Sequence, residues 1–310
     1  MSATTARLPV PDPTPEERLA LQRRLVESSG FRLAEDDPQF LDRPEITSVR
    51  LMLEYMKPQM ALLENDVEST VVLFGSARLQ EPTDAARRAE TLRLLAARAP
   101  EDAELARRLR AAEHQLALSR YYEVARDFSF RLSRRCQTTG RREFVVVTGG
   151  GPGIMEAGNR GGFEAGRHTI GLNIQLPHEQ LPNPFITPDL CFRFRYFAIR
   201  KMHFLRIAKA LIAFPGGFGT FDELFEVLCL IQTRTVPALP VVLVGEAYWR
   251  KAFDADWLAE TGMIDPEDLT LFSFAETAED IWNVLVRWYG ARGVALPNYE
   301  VLGEGCPPSP

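Results

Sequence analysis

Two glycine-rich segments have the composition of anion-binding turns. Gly149-Gly150-Gly151-Pro152-Gly153 and Pro215-Gly216-Gly217-Phe218-Gly219-Thr220 each follow a short apolar run. Glycine has no side chain to hold a ligand away, so backbone N–H groups can approach an anion closely. A helix that starts after the turn adds the positive end of its dipole. One such turn is as consistent with a simple tight turn as with a ligand site, but two at one edge of a sheet predict a nucleotide or sugar-phosphate site.

Four further side chains near these turns could take part in chemistry. Thr220 and Glu223 have the T-x-x-E spacing of a capping box, in which each side chain binds a backbone N–H of the first helical turn. The same two side chains could instead bind a phosphate and a sugar. Arg200 and Lys201 lie in residues 192–202, which we interpret as the entry into a helix. The two basic side chains either belong to a solvated face of that helix or take part in the site. Arg200 beside Glu223 would be a useful pair, because arginine stays charged at any working pH and can hold an anion or a leaving group.

Other ligand classes fit the sequence poorly. A dinucleotide fingerprint, G-x-G-x-x-G, that starts at Gly149 or Gly151 would have Ile154 or Glu156 at its sixth position, and no acidic residue ends the following apolar run. The sequence contains no G-x-x-x-x-G-K-[ST] segment, so a P-loop is not indicated. The four cysteines and four histidines are dispersed without metal-ligand spacing, and we expect free thiols and no metal site.

These residues require a scaffold that brings distant turns together. Six apolar runs lie at residues 70–74, 144–147, 169–174, 210–214, 241–244 and 271–274. Continuous apolar runs without polar alternation are typical of strands covered on both faces, and helical segments between them indicate βαβ units. We therefore predict an α/β fold, a Rossmann-like doubly wound parallel sheet with helices on both faces. In such a sheet the turns at the carboxyl ends of the strands line the ligand crevice.

The segments around this sheet define the expected domain organisation. Residues 1–45 form a proline-rich N-terminal arm, with a short helix at 15–28, that packs on the domain or on a partner subunit. Residues 46–295 form one Rossmann-like domain with a helical insertion at about 80–140, and residues 296–310 form a C-terminal tail. Apolar residues recur every three or four positions over 105–132, which predicts one long helix, and a last helix is expected at 278–288.

Composition limits the partners of the chain. Its 310 residues are 45% hydrophobic, and its net charge of −6 argues against a whole-protein attraction to nucleic acid. Residues 81–142 hold 14 arginines against nine acidic residues, which we interpret as a solvated helix face, the alternative being a nucleic-acid surface. The first 24 residues contain no apolar signal segment, and no apolar run reaches the ~18 residues that span a bilayer. We expect a cytoplasmic protein without membrane contact.

Four segments together carry a family resemblance. They are Gly75-Ser76-Ala77, residues 149–157, Arg200-Lys201, and the P-G-G-x-G-T-x-x-E motif at 215–223. From about residue 68 to 290 the chain resembles the LOG family, the cytokinin riboside 5′-monophosphate phosphoribohydrolases that were long mislabelled as lysine decarboxylases. The resemblance implies a Rossmann-like fold, a homodimer or higher homo-oligomer, no cofactor, and release of a free base and ribose 5-phosphate from a nucleoside monophosphate.

The resemblance also implies roles for individual residues. Arg200 and Glu223 match the catalytic pair, with Glu223 acting as base, charge stabiliser or ribose ligand. Phe192, Phe194 and Tyr196 either flank the base or pack in the core. The substrate-binding residues that we expect are Gly75, Ser76, Gly150, Gly151, Gly153, Met155, Glu179, Lys201, Gly216, Gly217, Gly219 and Thr220.

The chain departs from the short plant members of the family in its N-terminal arm, its insertion and its Gly-Ser-Ala turn, which stands where Gly-Ser-Ser is commoner. These features resemble the longer bacterial branch, some of whose members act on general purine or pyrimidine nucleotides. The preferred base stays open between a cytokinin and an AMP-like nucleotide.

One rival interpretation is a non-catalytic nucleotide-binding protein. The other is a decarboxylase, which needs a lysine that forms a Schiff base with pyridoxal phosphate, and only Lys201 and Lys209 are near the site.

Overall fold

A seven-stranded parallel sheet forms the centre of the fold. The structure, a computed structural model, describes residues 12–138, 141–177, 181–294 and 296. Two short strands, β2 and β3, pair with each other in an antiparallel ladder, and the other seven strands build the sheet. The strands are β1 (Thr70–Phe74), β2 (Gln137–Thr138), β3 (Arg141–Arg142), β4 (Val145–Thr148), β5 (Thr169–Ile174), β6 (Cys191–Phe194), β7 (Ala208–Ala213), β8 (Val241–Val244) and β9 (Phe272–Ala275).

The strand order shows where a ligand crevice can open. From edge to edge the order is β6-β5-β4-β1-β7-β8-β9, and all neighbouring pairs are parallel. The chain moves outward from β1 through β4 and β5 to β6, returns to the other side of β1 as β7, and moves outward again. The winding direction therefore reverses between β1 and β7. The loops that follow these two strands lead away from each other, which leaves a crevice at their carboxyl ends.

Helices accompany the sheet and continue beyond it. The short helix expected near the N-terminus is α1, and the expected last helix is α12. No helix among the described residues is both long and apolar enough to cross a membrane. The chain divides into two compact units, Met1–Leu53 and Glu54–Pro310, and the sheet lies in the second. The helices are α1 (Pro15–Val26), α2 (Pro38–Leu41), α3 (Thr47–Glu64), α4 (Pro82–Arg98), α5 (Ala103–Leu118), α6 (Arg120–Cys136), α7 (Ile154–Glu164), α8 (Phe197–Leu205), α9 (Phe218–Gln232), α10 (Glu246–Ala252), α11 (Ala255–Glu260) and α12 (Ala278–Gly290).

Side chains along β1 alternate between two cores. Val71 and Leu73 belong to a core that includes residues of α6, α7 and α12, whereas Val72 and Phe74 belong to a core that includes residues of α8, α9 and α10. All four side chains are buried. Since neither side of the strand meets water, residues 71–74 are all apolar. The predicted doubly wound α/β sheet with helices on both faces is confirmed.

Strand β6 corrects one interpretation. Residues 192–202 do not simply enter a helix, because β6 occupies Cys191–Phe194 at the edge of the sheet and α8 begins at Phe197. Phe192 and Phe194 are buried, and Arg193 between them is exposed. This alternation is the two-residue period of a strand with one covered face. The alternation is too short to be recognised in the sequence beside the helical pattern that follows. The burial of Phe192 and Phe194 assigns both side chains to the core.

The single long helix predicted at 105–132 is also wrong. Two helices, α5 and α6, meet at Ser119, which is buried and whose hydroxyl donates to the Leu116 carbonyl at 2.7 Å. α5 packs on α4 through a small separate cluster around Leu92 and Ala112, while α6 packs against the sheet. Both helices have an apolar face, so the three-to-four-residue period continues across the break and hides it.

Candidate functional site

A cavity of about 780 Å³ opens where the strand order predicts the crevice. Its wall contains the end of β1 and the turn after β7, together with parts of the turn after β4, the end of β5, α8 and the start of α9. The carboxyl ends of four neighbouring strands therefore contribute to one space. Its volume lies in the range of about 300–1,000 Å³ that is usual for small-molecule sites.

Backbone hydrogen bonds hold three glycine-bearing turns together. The N–H of Ser76 donates to the Pro215 carbonyl at 3.0 Å, and the N–H of Ile154 donates to the Ser76 carbonyl at 3.1 Å. Gly153 has a φ of +71°, and a Cβ at this position would lie 2.4 Å from the Ser76 carbonyl oxygen. Any larger residue at 153 would push the two turns apart. Gly153 therefore positions the turns without lining the cavity.

The first turn of α9 lies in the cavity wall. Gly217 is its N-cap and Phe218 its first helical residue, and no side chain caps this helix end. The capping box of Thr220 and Glu223 is therefore wrong, because the helix begins three residues earlier than a box with Thr220 as N-cap requires. The N–H of Thr220 instead donates to the Gly217 carbonyl at 2.9 Å. The first N–H groups of a helix have no partner within it, which suits this turn to an anion.

Arg200 of α8 and Glu223 of α9 form a buried ion pair in the same wall. One guanidinium Nη lies 3.2 Å from a carboxylate oxygen, and the two side chains are 12% and 6% exposed. The guanidinium also lies 4.9 Å from the ring centre of Phe197 and 5.6 Å from that of Phe204. Its Nε is buried and has no hydrogen-bond partner among the described residues. A buried donor without a partner is uncommon in a folded protein.

Burial changes the acidity of Glu223. The loss of water around its carboxyl raises the pKa of Glu223 to about 7, against the opposing charges of Arg200 and Lys201. Burial also lowers the pKa of the Arg200 guanidinium, but arginine keeps its proton in proteins. The cavity thus combines a permanent cation with a carboxyl group that can exchange a proton near neutral pH.

Lys201, the next residue after Arg200, is engaged elsewhere. Its Nζ lies 2.7 Å from a carboxylate oxygen of Asp222 and 3.1 Å from one of Glu226. It does not belong to the cavity wall. Adjacent residues of α8 therefore contact different acidic residues of α9, and substrate binding by Lys201 stays a prediction.

The cavity brings together most of the residues expected to bind substrate. Gly150, Gly153 and Lys201 lie outside its wall, and Glu179 lies outside the described residues. Gly150 has a φ of +72° and packs against the amide of Asn173. The predicted site residues that do lie in the wall are Gly75, Ser76, Gly151, Met155, Arg200, Gly216, Gly217, Gly219, Thr220 and Glu223. The roles of the predicted site residues, inside and outside the wall, stay predictions.

Three polar wall residues were missed by the sequence analysis: Arg78, Asn173 and Tyr248. The amide nitrogen of Asn173 donates to the Phe192 carbonyl at 3.2 Å, and its place at the end of an apolar run was the available signal. The hydroxyl of Tyr248 donates to the Gly216 carbonyl and supports the turn before α9. Tyr248 lies on α10, for which the sequence shows no clear helical pattern, so nothing in the sequence pointed to it.

The described residues contain no group of three or more histidine, cysteine, aspartate or glutamate side chains that could hold a metal ion. The cysteines within them, Cys136, Cys191 and Cys229, are free thiols. Neither Lys201 nor Lys209 lies in the cavity wall. The chemistry of the wall is therefore that of glycine-rich backbone, two arginines and one carboxyl group.

Residues 155–285 match a family model described as possible lysine decarboxylase. A probable cytokinin riboside 5′-monophosphate phosphoribohydrolase of Oryza sativa subsp. japonica is 28% identical over 167 residues, which are 50% of this chain and 75% of that protein. A cytokinin riboside 5′-monophosphate phosphoribohydrolase of Arabidopsis thaliana is 30% identical over 142 residues, which are 44% of this chain and 64% of that protein. A pyrimidine/purine nucleotide 5′-monophosphate nucleosidase of Escherichia coli (strain K12) is 32% identical over 121 residues, 34% of this chain and 25% of that protein.

Among solved structures, the molybdenum cofactor carrier protein of Chlamydomonas reinhardtii is similar at 19% identity with a TM-score of 0.37, covering 54% of this chain and 88% of that one. Similarity at this level says nothing about the ligand of this chain.

Proposed function

We propose that this chain, a LOG-family protein by its family match and curated relatives, hydrolyses the N-glycosidic bond of a nucleoside 5′-monophosphate to a free base and ribose 5-phosphate. The observation that carries the proposal is the buried Arg200–Glu223 pair, 3.2 Å apart, in one cavity with the first turn of α9. The relatives named above act on nucleoside monophosphates with different bases, so the base of this substrate is either a cytokinin or an ordinary purine or pyrimidine.

The 5′-phosphate binds at the first turn of α9 in this proposal. The free N–H groups after Gly216 and the hydroxyl of Thr220 supply hydrogen bonds, and the helix end supplies partial positive charge. This contact lies away from the bond that breaks. Its binding energy holds the ribose over Glu223 and raises kcat/KM, because the contact is made before and during bond cleavage alike.

Bond cleavage places opposite charges on the two halves of the substrate. As in glycoside hydrolysis, positive charge develops on the ribose while the electron pair of the C1′–N bond leaves with the base. The Glu223 carboxylate stabilises the ribose charge and takes a proton from the water whose oxygen bonds to C1′. The unpaired Nε of Arg200 donates to the substrate and stabilises the departing base. The base then acquires a proton from solvent or from Glu223.

A pyridoxal-dependent decarboxylase, which the description of the matched family model suggests, would need a lysine in the cavity. Lys201 is held by Asp222 and Glu226, and Lys209 lies outside the cavity wall. Lys201 would have to break these contacts to reach a ligand, and Lys209 lines a different cavity. The hydrolase has the observation of the Arg200–Glu223 pair in its favour, and the decarboxylase has none.

The proposal is tested by incubating the protein with AMP, GMP, CMP and a cytokinin riboside monophosphate and measuring ribose 5-phosphate and free base. We expect release from at least one nucleotide, and a loss of about 100-fold or more in kcat for Glu223→Gln, since positioned acid–base groups contribute about 10²–10⁴-fold. Glu260→Gln, an exposed glutamate at the end of α11, is the matched control and should keep full activity. Nucleotide binding without release from any substrate would indicate the non-catalytic binding protein instead.

A further inference from the structure

The formal charges of the cavity wall do not cancel. Among the described wall residues three carry a guanidinium or carboxyl group, namely Arg78, Arg200 and Glu223. Arg200 and Glu223 are paired with each other at 3.2 Å, and Lys201 is held outside the wall by two carboxylates. The charge left over belongs to Arg78.

Arg78 stands at the switch point of the sheet, two residues beyond Ser76 in the turn after β1. Its N–H donates to the Ser76 hydroxyl at 3.0 Å, and the N–H of Ser76 donates to the Pro215 carbonyl at 3.0 Å. The turn that carries Arg78 is therefore tied to the turn that leads into α9. Its position is set by the same hydrogen bonds that build the proposed phosphate site.

The Arg78 side chain is exposed and has no ion-pair partner among the described residues. Glu81, the nearest acidic residue along the chain, lies 3.0 Å from Arg160 instead. Arg200, the other arginine among the described wall residues, is paired with Glu223. Arg78 is thus the arginine of the described cavity wall that has no carboxylate partner.

We propose that Arg78 supplies the counter-charge for the substrate's phosphate group and makes the cavity select phosphorylated over unphosphorylated nucleosides. This inference rests on the proposed function. The end of α9 carries only about half an elementary charge, whereas a phosphate monoester carries nearly two negative charges at neutral pH. A side-chain cation is needed for the remainder, and arginine forms charge-assisted, two-point hydrogen bonds with phosphate oxygens.

The test compares binding of ribose 5-phosphate, AMP and adenosine by calorimetry at low and high salt. We expect Arg78→Gln to weaken ribose 5-phosphate and AMP about tenfold to 100-fold at low salt and to leave adenosine unchanged. Arg78→Lys should retain an intermediate affinity, because it keeps the charge but not the two-point geometry. Arg87→Gln, on the exposed face of α4, is the matched control and should bind all three ligands as the wild type does.

Steady-state rates give a second measurement that a merely structural role would not reproduce. Arg78→Gln should raise KM for the nucleotide with kcat changed less than about twofold, because the phosphate contact is made before and during bond cleavage alike. Equal losses for AMP and adenosine would show a structural role and overturn the proposal. So would unchanged ribose 5-phosphate affinity in Arg78→Gln, or no binding of ribose 5-phosphate to the wild type.

The binding measurements separate this inference from the proposed function. Ribose 5-phosphate is not consumed, so its affinity can be measured whether or not the chain hydrolyses nucleotides. Selective loss in Arg78→Gln without any hydrolysis by the wild type would retain the phosphate role and reject the hydrolase. Hydrolysis by the wild type with an unaffected Arg78→Gln variant would do the reverse.

Discussion

At the scale of single residues, Glu223 is governed by competition between burial and charge. Its side chain is 6% exposed, and the nearest cation, Arg200, lies 3.2 Å away. Burial dominates, since the pKa of Glu223 rises to about 7 despite that cation. Both protonation states are therefore populated at neutral pH, which suits a group that must accept a proton in one step and release it in another.

The ionisation of Glu223 predicts the pH dependence of the reaction. If the carboxylate is the active form, kcat/KM should rise with pH through about 7, because the carboxylate fraction increases as pH passes the raised pKa. The same rise with pH, the acidic limb of the profile, should also appear in kcat at saturating substrate. Ionisation of the free nucleotide no longer contributes under that condition. Rates between pH 5.5 and 9 would check this, with circular dichroism as the control for folding. Rates that fall through the same range would instead make protonated Glu223 a general acid.

At the scale of elements, two layers of ion pairs hold α8 against α9. Arg200 and Glu223 form the layer in the cavity wall, and Lys201 with Asp222 and Glu226 forms a layer outside it. Since Arg200 and Lys201 are consecutive, the outer layer constrains the orientation of α8 and hence of Arg200. We therefore regard Lys201 as a positioning residue that also influences Glu223 through its charge.

Substitutions in the outer layer should move the pH limb in opposite directions. The charge of Lys201 lowers the pKa of Glu223, and those of Glu226 and Asp222 raise it. Lys201→Met should therefore shift the limb to higher pH, and Glu226→Gln should shift it to lower pH, each with a several-fold change in kcat and little change in KM. Lys251→Met, on the exposed end of α10, is the control that should leave the limb in place. A large rise in KM for Lys201→Met alone would make Lys201 a substrate ligand.

At the scale of the whole molecule, the α4–α5 pair is largely independent of the site. Leu92 is buried in a cluster with Ala89 and Ala112 that is separate from both sheet cores, and no described residue of α4 or α5 belongs to the cavity wall. Local stability in proteins varies between such units. We therefore expect that the pair can loosen without loss of the proposed reaction.

Leu92→Ala tests this independence. A buried leucine truncated to alanine costs about 2–5 kcal/mol, and here the cost should fall on α4 and α5 alone. Hydrogen exchange should accelerate in those helices, while amides of β1 and β7 and the rate of nucleotide hydrolysis remain unchanged. Leu73→Ala, in the sheet core, is the comparison that should accelerate exchange throughout the second unit. Uniform acceleration in Leu92→Ala would contradict the independence of the pair.

The expected domain limits, the homo-oligomer and the cytoplasmic location belong to the same scale and stay predictions. The names of the relatives state that those proteins act on nucleoside 5′-monophosphates. The aligned residues make up between 34% and 50% of this chain in these comparisons.

The sequence by itself determined the sheet and its ligand edge. Residues 71–74 and strand Val241–Val244 are uninterrupted apolar runs because both faces of these strands are buried, so this requirement shows in the local sequence. The glycine turns after β4 and β7 are local as well, since close backbone approach excludes side chains. Edge strand β6 and the break at Ser119 were missed. The alternation of β6 is only a few residues long, and the helical period of apolar residues continues across Ser119.

Only the tertiary structure decided what the polar residues of the site contact. The spacing of Thr220 and Glu223 matches a helix cap, yet the helix begins at Phe218 and Glu223 meets Arg200 from another helix. Lys201 turns away to Asp222, and Arg78 is left without a partner in the cavity wall. Local patterns report how a segment is buried, whereas an ion pair depends on which distant segments the fold places within a few ångströms. The charge balance of the cavity follows from those contacts and could not be read from the glycine-rich motifs alone.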